Sequence, residues 1–464
     1  MPLNKKDVEK FLLNGLFLTV FLFCSTFFSK PSFAIVGDEE ISPGRLLEIR
    51  HQHDALMETE KRRSDEEKAY QIELLEEKKQ KLESGSPEEK ELLDEISKLK
   101  SGVVVQKKRW KDKIRFMPTE RVVFDSNIRN SRVAKSDLIF NTGTGIQMNL
   151  GTQRTKIDVD YDGAYANYLH NHKLSRFEQR LGTSLQYPVS SKTDIEASYH
   201  VSSTGDQNSE IRGILERLRQ DASLTFNQRL SQKTGIRIGQ TYNDVFFYKK
   251  SSRNNSGSQY VFSPELNYLI SQKTTAFARY ALGLAGGGVD DSNKSVANEF
   301  RGGIRGKILP KTTGTIDLGY SNQRLTTLGG SVTAFVAEAV VISDITRKSK
   351  LEFLMNRSFS QAVQTEGSNF YVTENYRVTA STQFRRFLAG SLNAGVRRNS
   401  FDQGGKITGS SQRDLILELG AALRYDFRKW LGFELSYLFS GANSNNKDRE
   451  YSKQVISLAV NGRY

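Results

Sequence analysis

The chain has 464 residues, a mean hydropathy of −0.52, 37% hydrophobic residues and 10% aromatic residues, with Tyr (18) and Phe (27) far ahead of Trp (2). This mixture argues against an ordinary globular enzyme and is typical of a transmembrane β-barrel, in which only alternate strand residues need be apolar. The formal net charge of +14 would suit nucleic acid in a cytosolic protein, but the export signal described next favours a basic lumen, or binding to anionic lipid or polysaccharide, instead.

Residues 1–34 have the organisation of a secretory signal peptide. Three lysines precede an apolar stretch over residues 11–28, and small residues lead to Ala34. We predict cleavage after Ala34, the alternative being a retained inner-membrane anchor. The single cysteine, Cys24, lies in this stretch and is expected to be removed with it. Lipidation of Cys24 is a second alternative, although Phe23 stands where a small residue is usual.

Residues 35–117 are predicted to form a helical periplasmic segment. They are rich in Glu, Lys and Leu, and no Gly or Pro occurs between Arg45 and Ser84. A second helix is predicted to begin after Ser86, its N-cap, with Pro87 at the first helical position. Glu89 completes a capping box with Ser86. The pattern predicts an αα-hairpin or coiled coil, with a solvated charged helix as the alternative.

Beyond residue 117 the hydrophobic period changes from 3.6 to 2 and stays there to the last residue. The alternation is clearest in the last strands, and it runs longer than the usual strand of about 5–6 residues. One such apolar face consists of Leu415, Leu417, Leu419, Ala421, Leu423, Tyr425 and Phe427. The polar face carries charges, which is expected where one face meets lipid and the other a wet lumen. Residues 118–464 are therefore predicted to form an outer-membrane β-barrel.

Short turns with the pattern x-Lys-Thr recur at Lys192, Lys233, Lys273 and Lys311, which are 41, 40 and 38 residues apart. Similar turns fall near Gly151, Arg347, Phe387 and Trp430, and longer polar connections such as 203–213 and 399–412 lie between them. Eight turns and nine connections predict about 18 antiparallel strands, with 16 as the alternative because segments 333–342 and 370–384 are weak. The aromatic end, Tyr464, is predicted to be the signal that the barrel-assembly machinery recognises.

The repeated Lys-Thr turns, the Phe124-Asp125-Ser126-Asn127-Ile128 opening and the length of the strand region resemble the putative beta-barrel porin 2 group. They are also similar to the barrels encoded with bacterial exopolysaccharide export systems. The resemblance covers roughly residues 118–464 and implies a channel in the outer membrane. The segment 35–117 is not part of it.

Nothing in the sequence has the pattern of a catalytic site, a metal site or a cofactor site, so we predict a protein that is not an enzyme. His51 and His53 are two apart on a predicted helix and do not face each other, and His170 and His172 flank a strand end. The glycines at 286–288 lack the Lys-Ser/Thr of a phosphate-binding loop.

Charged residues that share the parity of small or polar neighbours are predicted to face the lumen. The candidates are Arg237, Arg279, Arg301, Arg305, Lys307, Arg397, Arg424, Asp158, Asp160 and Asp162. Pairing between arginines and carboxylates would explain most of them, because buried charge must be compensated. A track for an anionic solute is the alternative. Residues 118–464 contain 45 basic and 31 acidic residues, and we expect pairing to leave this surplus unexplained.

Three hypotheses of function follow for such a barrel in the bacterial outer membrane. The first is a conduit for export of an exopolysaccharide or other anionic polymer, working with a periplasmic polysaccharide-export protein. The second is a general or anion-preferring diffusion porin, and the third is a structural or adhesive barrel. Barrels of 16–18 strands leave an aqueous channel, and the helical extension favours export. Outer-membrane lipid is an expected partner of all three, and nucleic acid of none.

Overall fold

The computed structural model describes residues 114–151, 155–208, 213–248, 256–287, 294–325, 331–361, 370–401 and 412–463. They form 18 β-strands and two short 3₁₀-helices, His172–Leu174 and Lys447–Arg449. The strands are β1 Ile114–Asp125, β2 Asp137–Gly151, β3 Lys156–Tyr168, β4 Arg176–Ser190, β5 Thr193–Asn208, β6 Gly213–Arg229, β7 Thr234–Phe247, β8 Gly257–Ser271, β9 Thr274–Gly287, β10 Ser295–Leu309, β11 Thr312–Leu325, β12 Ser331–Asp344, β13 Ser349–Gln361, β14 Phe370–Arg385, β15 Leu388–Phe401, β16 Arg413–Arg428, β17 Leu431–Ser444 and β18 Tyr451–Gly462.

The strands form one closed antiparallel barrel. Each strand pairs with the next in sequence, and β1 also pairs with β18, for example Thr119 with Asn461. Closure leaves no free sheet edge, which is the condition for a sheet to stand in lipid. The strands contain 12 to 17 residues, more than the roughly 9–11 residues that cross a bilayer. The prediction of an 18-stranded barrel is confirmed.

The two faces of each strand differ as the alternation predicts. On β16, the apolar residues Leu415, Leu417, Leu419 and Leu423 are 40–48% exposed. The alternate residues include Asp414, which is buried, and they meet polar residues of the neighbouring strands. Exposed large apolar side chains are costly in water, so this face is the outer, lipid-facing one and the other lines the interior.

Aromatic side chains gather on the outer face beside the short turns. Phe387 and Tyr425 make an edge-to-face contact with ring centroids 5.5 Å apart, and Phe427 and Phe433 make another at 6.5 Å. Trp430, in the turn between β16 and β17, is 47% exposed. Aromatic girdles mark the two membrane interfaces of such barrels, and this cluster marks one of them.

The two ends of the barrel differ in their connections. At one end the strands are joined by two to four residues, and at the other by four to eleven. Short turns face the periplasm in outer-membrane barrels, so the turn end is periplasmic. The N-terminus of β1 and the C-terminus of β18 both lie at that end, as an even number of strands requires.

The recurring turns share a local hydrogen bond. The hydroxyl of Ser190, Ser231 or Ser271 accepts from the backbone N–H of the turn lysine two residues later, at 3.2, 3.1 and 3.3 Å. In the turn between β12 and β13 the Thr346 hydroxyl does the same for Lys348 at 3.1 Å. The side chain satisfies a donor that the tight turn would leave free, which explains the Ser/Thr-x-Lys spacing in the sequence.

Each of these turns is also bonded to the end of the following hairpin around the rim. The carbonyl of each turn lysine accepts from a backbone N–H at the end of the following hairpin. The pairs are Lys192 with Arg229, Lys233 with Leu269, Lys273 with Lys307, Lys311 with Asp344 and Lys348 with Gln383, at 2.7–2.8 Å. Phe387 and Trp430 accept in the same way from Asp426 and Arg463, at 2.8 Å. Each hairpin is therefore tied to the next at the periplasmic rim.

Some boundaries differ from those expected. β1 begins at Ile114, four residues before the predicted start of the barrel. Segments expected as polar connections are partly strand, since β5 reaches Asn208 and β6 resumes at Gly213. Antiparallel pairing needs only backbone groups, so a hairpin continues beyond the membrane without apolar side chains. The predicted signal peptide, the segment predicted to be helical up to residue 113, and the C-terminal Tyr464 lie outside the described residues.

Candidate functional site

The inner wall carries most of the predicted charged residues, and many of them form ion pairs across strands. Arg301 on β10 is one of these paired residues, and its side chain is only 8% exposed. Its guanidinium contacts Glu299, Asp317 at 3.0 Å and Glu338 at 3.6 Å. Arg279 reaches the same Asp317 at 3.8 Å. This cluster links β9, β10, β11 and β12, and three carboxylates compensate two arginines.

A second inner cluster surrounds Glu265 on β8, which is 4% exposed. Arg305 donates to Glu265 and to Asn267. In the strand register Glu265 lies between Arg237 and Arg279. The guanidinium of Arg305 also lies 4.8 Å from the ring centroid of Phe277, a cation–π distance. Arg305 thus pairs with Glu265, and Arg237 and Arg279 flank the same carboxylate in the register.

A third inner cluster joins β14, β15 and β16. Glu418 accepts from Arg377 at 2.9 Å and from Arg397 at 3.3 Å. Nearby on β16, Arg424 donates to Asp426 at 3.0 Å, and both side chains are 43% exposed. Arg377 and Arg397 share the carboxylate of Glu418, so this part of the wall is slightly basic.

The acidic candidates form a row on β3. Asp158, Asp160 and Asp162 lie on its inner face, with Lys156 3.5 Å from Asp158. In the register Asp162 is opposite Arg180, and Asp160 is opposite Gly182. An acidic stretch of wall therefore lies on β3, several strands from the ion-pair clusters on β8–β12.

The structure brings together Arg279, Arg301 and Arg305, and it places Arg397 and Arg424 on β15 and β16. Within the described part of the chain no ion pair involves Arg237 or Lys307. The sequence did not identify the partners Glu265, Asp317 and Glu418. Their parity alone would have placed them on the inner face, but the choice of partner depends on the cross-strand register.

The basic surplus is concentrated at the periplasmic turns. All seven turns that the structure describes in full contain a lysine or arginine, and none contains an aspartate or glutamate. The turn cations are Lys192, Lys233, Lys273, Lys311, Arg347, Lys348, Arg386 and Lys429, and all are exposed. Eight cations thus surround the periplasmic mouth of the barrel, a set that we call the basic rim. The sequence pattern predicted these lysines as parts of short turns on one side of the barrel, but the charge surplus was not expected there.

Among the described residues, no group of His, Cys, Asp and Glu has the arrangement of a metal site. No helix among those residues is long and apolar enough to span a membrane.

A closed barrel of 18 strands with an apolar outer face and a charged inner wall is the architecture of a porin-like protein of the bacterial outer membrane. The chain belongs to the family described as "Putative beta-barrel porin 2", whose model matches residues 119–464. The resemblance to this family seen in the sequence is confirmed, and with it the location of the barrel in the outer membrane. The family is one of channels rather than enzymes.

Solved structures that match the chain include three bacterial proteins, the first of which is described as an outer membrane protein. OpdK from Pseudomonas aeruginosa is 10% identical, with a TM-score of 0.44, and the match covers 76% of this chain and 100% of that one. OccAB4 from Acinetobacter baumannii is 10% identical, with a TM-score of 0.42 and coverages of 76% and 98%. The siderophore receptor PirA from Pseudomonas aeruginosa is 11% identical, with a TM-score of 0.41 and coverages of 77% and 81%. No curated protein matches the chain.

Proposed function

We propose that the protein is a conduit through which an anionic polymer, such as an acidic exopolysaccharide, leaves the periplasm. The observation that carries the proposal is the basic rim: every fully described periplasmic turn contains a cation, and no Asp or Glu is among the turn residues. Charge of one sign around a channel mouth raises the local concentration of the opposite charge and its rate of capture. A polymer with one charge per sugar would be held by several of these cations at once.

The inner wall is suited to the passage of such a polymer. Its arginines are mostly paired, as in the clusters around Asp317 and Glu418. A paired wall offers polar contacts without one deep anion trap, so a polymer can move along it, since conduction requires binding that is weak and spread over many sites. Capture would take place at the rim and passage along the wall.

An anion-preferring diffusion porin is the second candidate. Arg237 and Lys307 favour it, because they form no ion pair within the described residues and lie on the inner wall. A porin of this kind would select small anions at the wall, and the basic rim would add little to its selectivity.

Blockade of single channels in a planar bilayer tests the proposal. We expect short polygalacturonate chains to interrupt the current more often when added on the periplasmic side than on the other side. Changing Lys192, Lys233, Lys273 and Lys311 together to Gln should lower this capture rate by about tenfold at low salt and flatten its salt dependence, because steering by charge is screened by ions.

Neutral dextran of the same length is the control, and its blockade should not depend on the four lysines. Equal capture from both sides, or an unchanged rate in the quadruple variant, would contradict the export proposal. If the variant also kept a high preference for chloride over potassium, the diffusion porin would be favoured.

A further inference from the structure

The outer face of the barrel is apolar along most of β13, β14 and β15. Leu351 and Phe353 on β13 are 38% and 37% exposed, and Tyr376 and Val378 on β14 are 40% and 41% exposed. On β15, Leu392 is 64% exposed. Residues with the same parity point to the same face, so a charged residue in this series lies on the lipid side of the wall.

Three charged residues continue this series toward the extracellular end. Arg357 on β13 is in register with Glu374 on β14, and Glu374 is in register with Arg398 on β15. Glu374 forms an ion pair with Arg357, and its carboxylate lies 3.7 Å from the guanidinium of Arg398. One carboxylate is shared by two guanidiniums, and the Arg398 side chain remains 47% exposed. We call these three residues the outer charged row.

The height of the outer charged row follows from the strand lengths. Counted from the periplasmic turns, Arg357 is the ninth residue of β13, Arg398 the eleventh of β15 and Glu374 the twelfth of β14. A barrel strand crosses the hydrocarbon in about 9–11 residues. The row therefore lies where the hydrocarbon ends and the headgroups of the outer leaflet begin. A charge at that height is tolerated, whereas an arginine at the midplane of the bilayer is strongly destabilising.

We propose that the outer charged row binds the phosphate groups of lipopolysaccharide in the outer leaflet. The row carries one positive charge in excess, and Arg413, the exposed extracellular end of β16, adds another on the same face. Guanidinium groups match phosphate oxygens with two parallel hydrogen bonds. The apolar face directly below the row would contact the acyl chains of the same lipid. Charge above and apolar surface below fit a phosphorylated, acylated molecule better than a free anion.

Native mass spectrometry of the full-length protein in non-ionic detergent tests the proposal, with bisphosphorylated lipid A as the probe. We expect bound lipid A on the unchanged protein and an affinity at least about tenfold lower for the Arg357→Gln/Arg398→Gln variant. Arg357→Lys/Arg398→Lys should retain part of the binding, because it keeps the charge and loses the two-pronged geometry. Lys233→Gln/Lys273→Gln, which removes the same charge from the periplasmic rim, is the matched control and should bind as before.

Three results would overturn the proposal. These are unchanged binding by the double Gln variant, equal binding of dephosphorylated lipid A, and displacement of lipid A by millimolar inorganic phosphate, which would mean an anion site only. If the double Gln variant does not fold, judged by its gel mobility with and without heating, Arg398→Gln alone replaces it. That side chain has the longer contact to Glu374 and the greater exposure, and the same tenfold criterion applies.

Discussion

Glu418 holds two arginines of the inner wall at once, Arg377 and Arg397, and its removal should change the charge selectivity of the channel. In Glu418→Gln both guanidiniums keep their charge and lose their carboxylate. Interactions of partly exposed charges are about 0.2–1 kcal/mol, so we expect roughly a 1.4-fold to fivefold rise in chloride over potassium permeability. The reversal potential under a KCl gradient measures it.

The matching change is Arg279→Gln/Arg305→Gln, which removes cations around Glu265 and Asp317 and should shift the reversal potential the opposite way. Shifts of the same sign in both variants would show that these residues do not determine ion selectivity.

For single residues, the sequence predicted the face of the wall but not the ion-pair partner. Parity predicted an inner face for Arg279, Arg305 and Arg397, but it could not predict that Arg305 takes Glu265 and Arg397 takes Glu418. Those choices depend on the register between strands 21 to 40 residues apart in sequence.

At the scale of a single strand, β16 allows a direct test of its two faces. Leu423 is 44% exposed on the outer face and is the sixth residue from the periplasmic turn, near the middle of a membrane crossing. Leu423→Arg should cost about 2–4 kcal/mol and lower the yield of folded barrel. Ala422→Arg, whose position faces Ser391 and Ser436 on the inner wall, should be tolerated. The folded fraction in urea titrations from liposomes measures both.

Ala422 is a better control than its neighbour Gly420. A Cβ at Gly420 would lie 2.6 Å from the amide nitrogen of Asn393, so a larger side chain there would mix a steric effect with the effect of charge. Equal losses in the Leu423 and Ala422 variants would contradict the assignment of faces.

Two strands were weak in the sequence for identifiable reasons. β12 is apolar on both faces, because Val336, Val340 and Ile342 are buried on its inner side while Phe335 is exposed on its outer side. The alternation that indicates a strand is therefore nearly absent there. β14 has the opposite problem, since Glu374 interrupts its outer apolar face. Regular turn spacing, rather than alternation, supplied the count of 18.

For the whole molecule, barrel closure should not depend on the N-terminal region. β1 pairs with β18 through seven register positions, from Thr119 to Asp125. Deletion of residues 35–113 leaves all of β1, so we expect the barrel to fold, because its strands bond only to one another. Resistance to SDS before heating measures folding. A deletion variant that unfolds in SDS without heating would show that the preceding segment contributes to the barrel.

The architecture was predictable from sequence because a barrel repeats one signal many times. Period-2 alternation and turns about 40 residues apart gave the strand number even though single strands were ambiguous. The location of the charge surplus was not predictable in this way. The charge surplus was expected on the inner wall. Eight of the cations lie instead at the turns of the periplasmic end.

The bonds between each turn and the following hairpin bear on how such a protein can change over evolutionary time. Each unit of about 40 residues offers one turn carbonyl to the following unit and donates one N–H to the turn carbonyl of the preceding unit, always at the same position. Duplication or loss of one whole unit, two strands with their turn, therefore leaves every donor and acceptor at the junction with a counterpart. Barrels of this kind can be resized in steps of two strands, and pore diameter becomes a heritable quantity that changes in discrete increments.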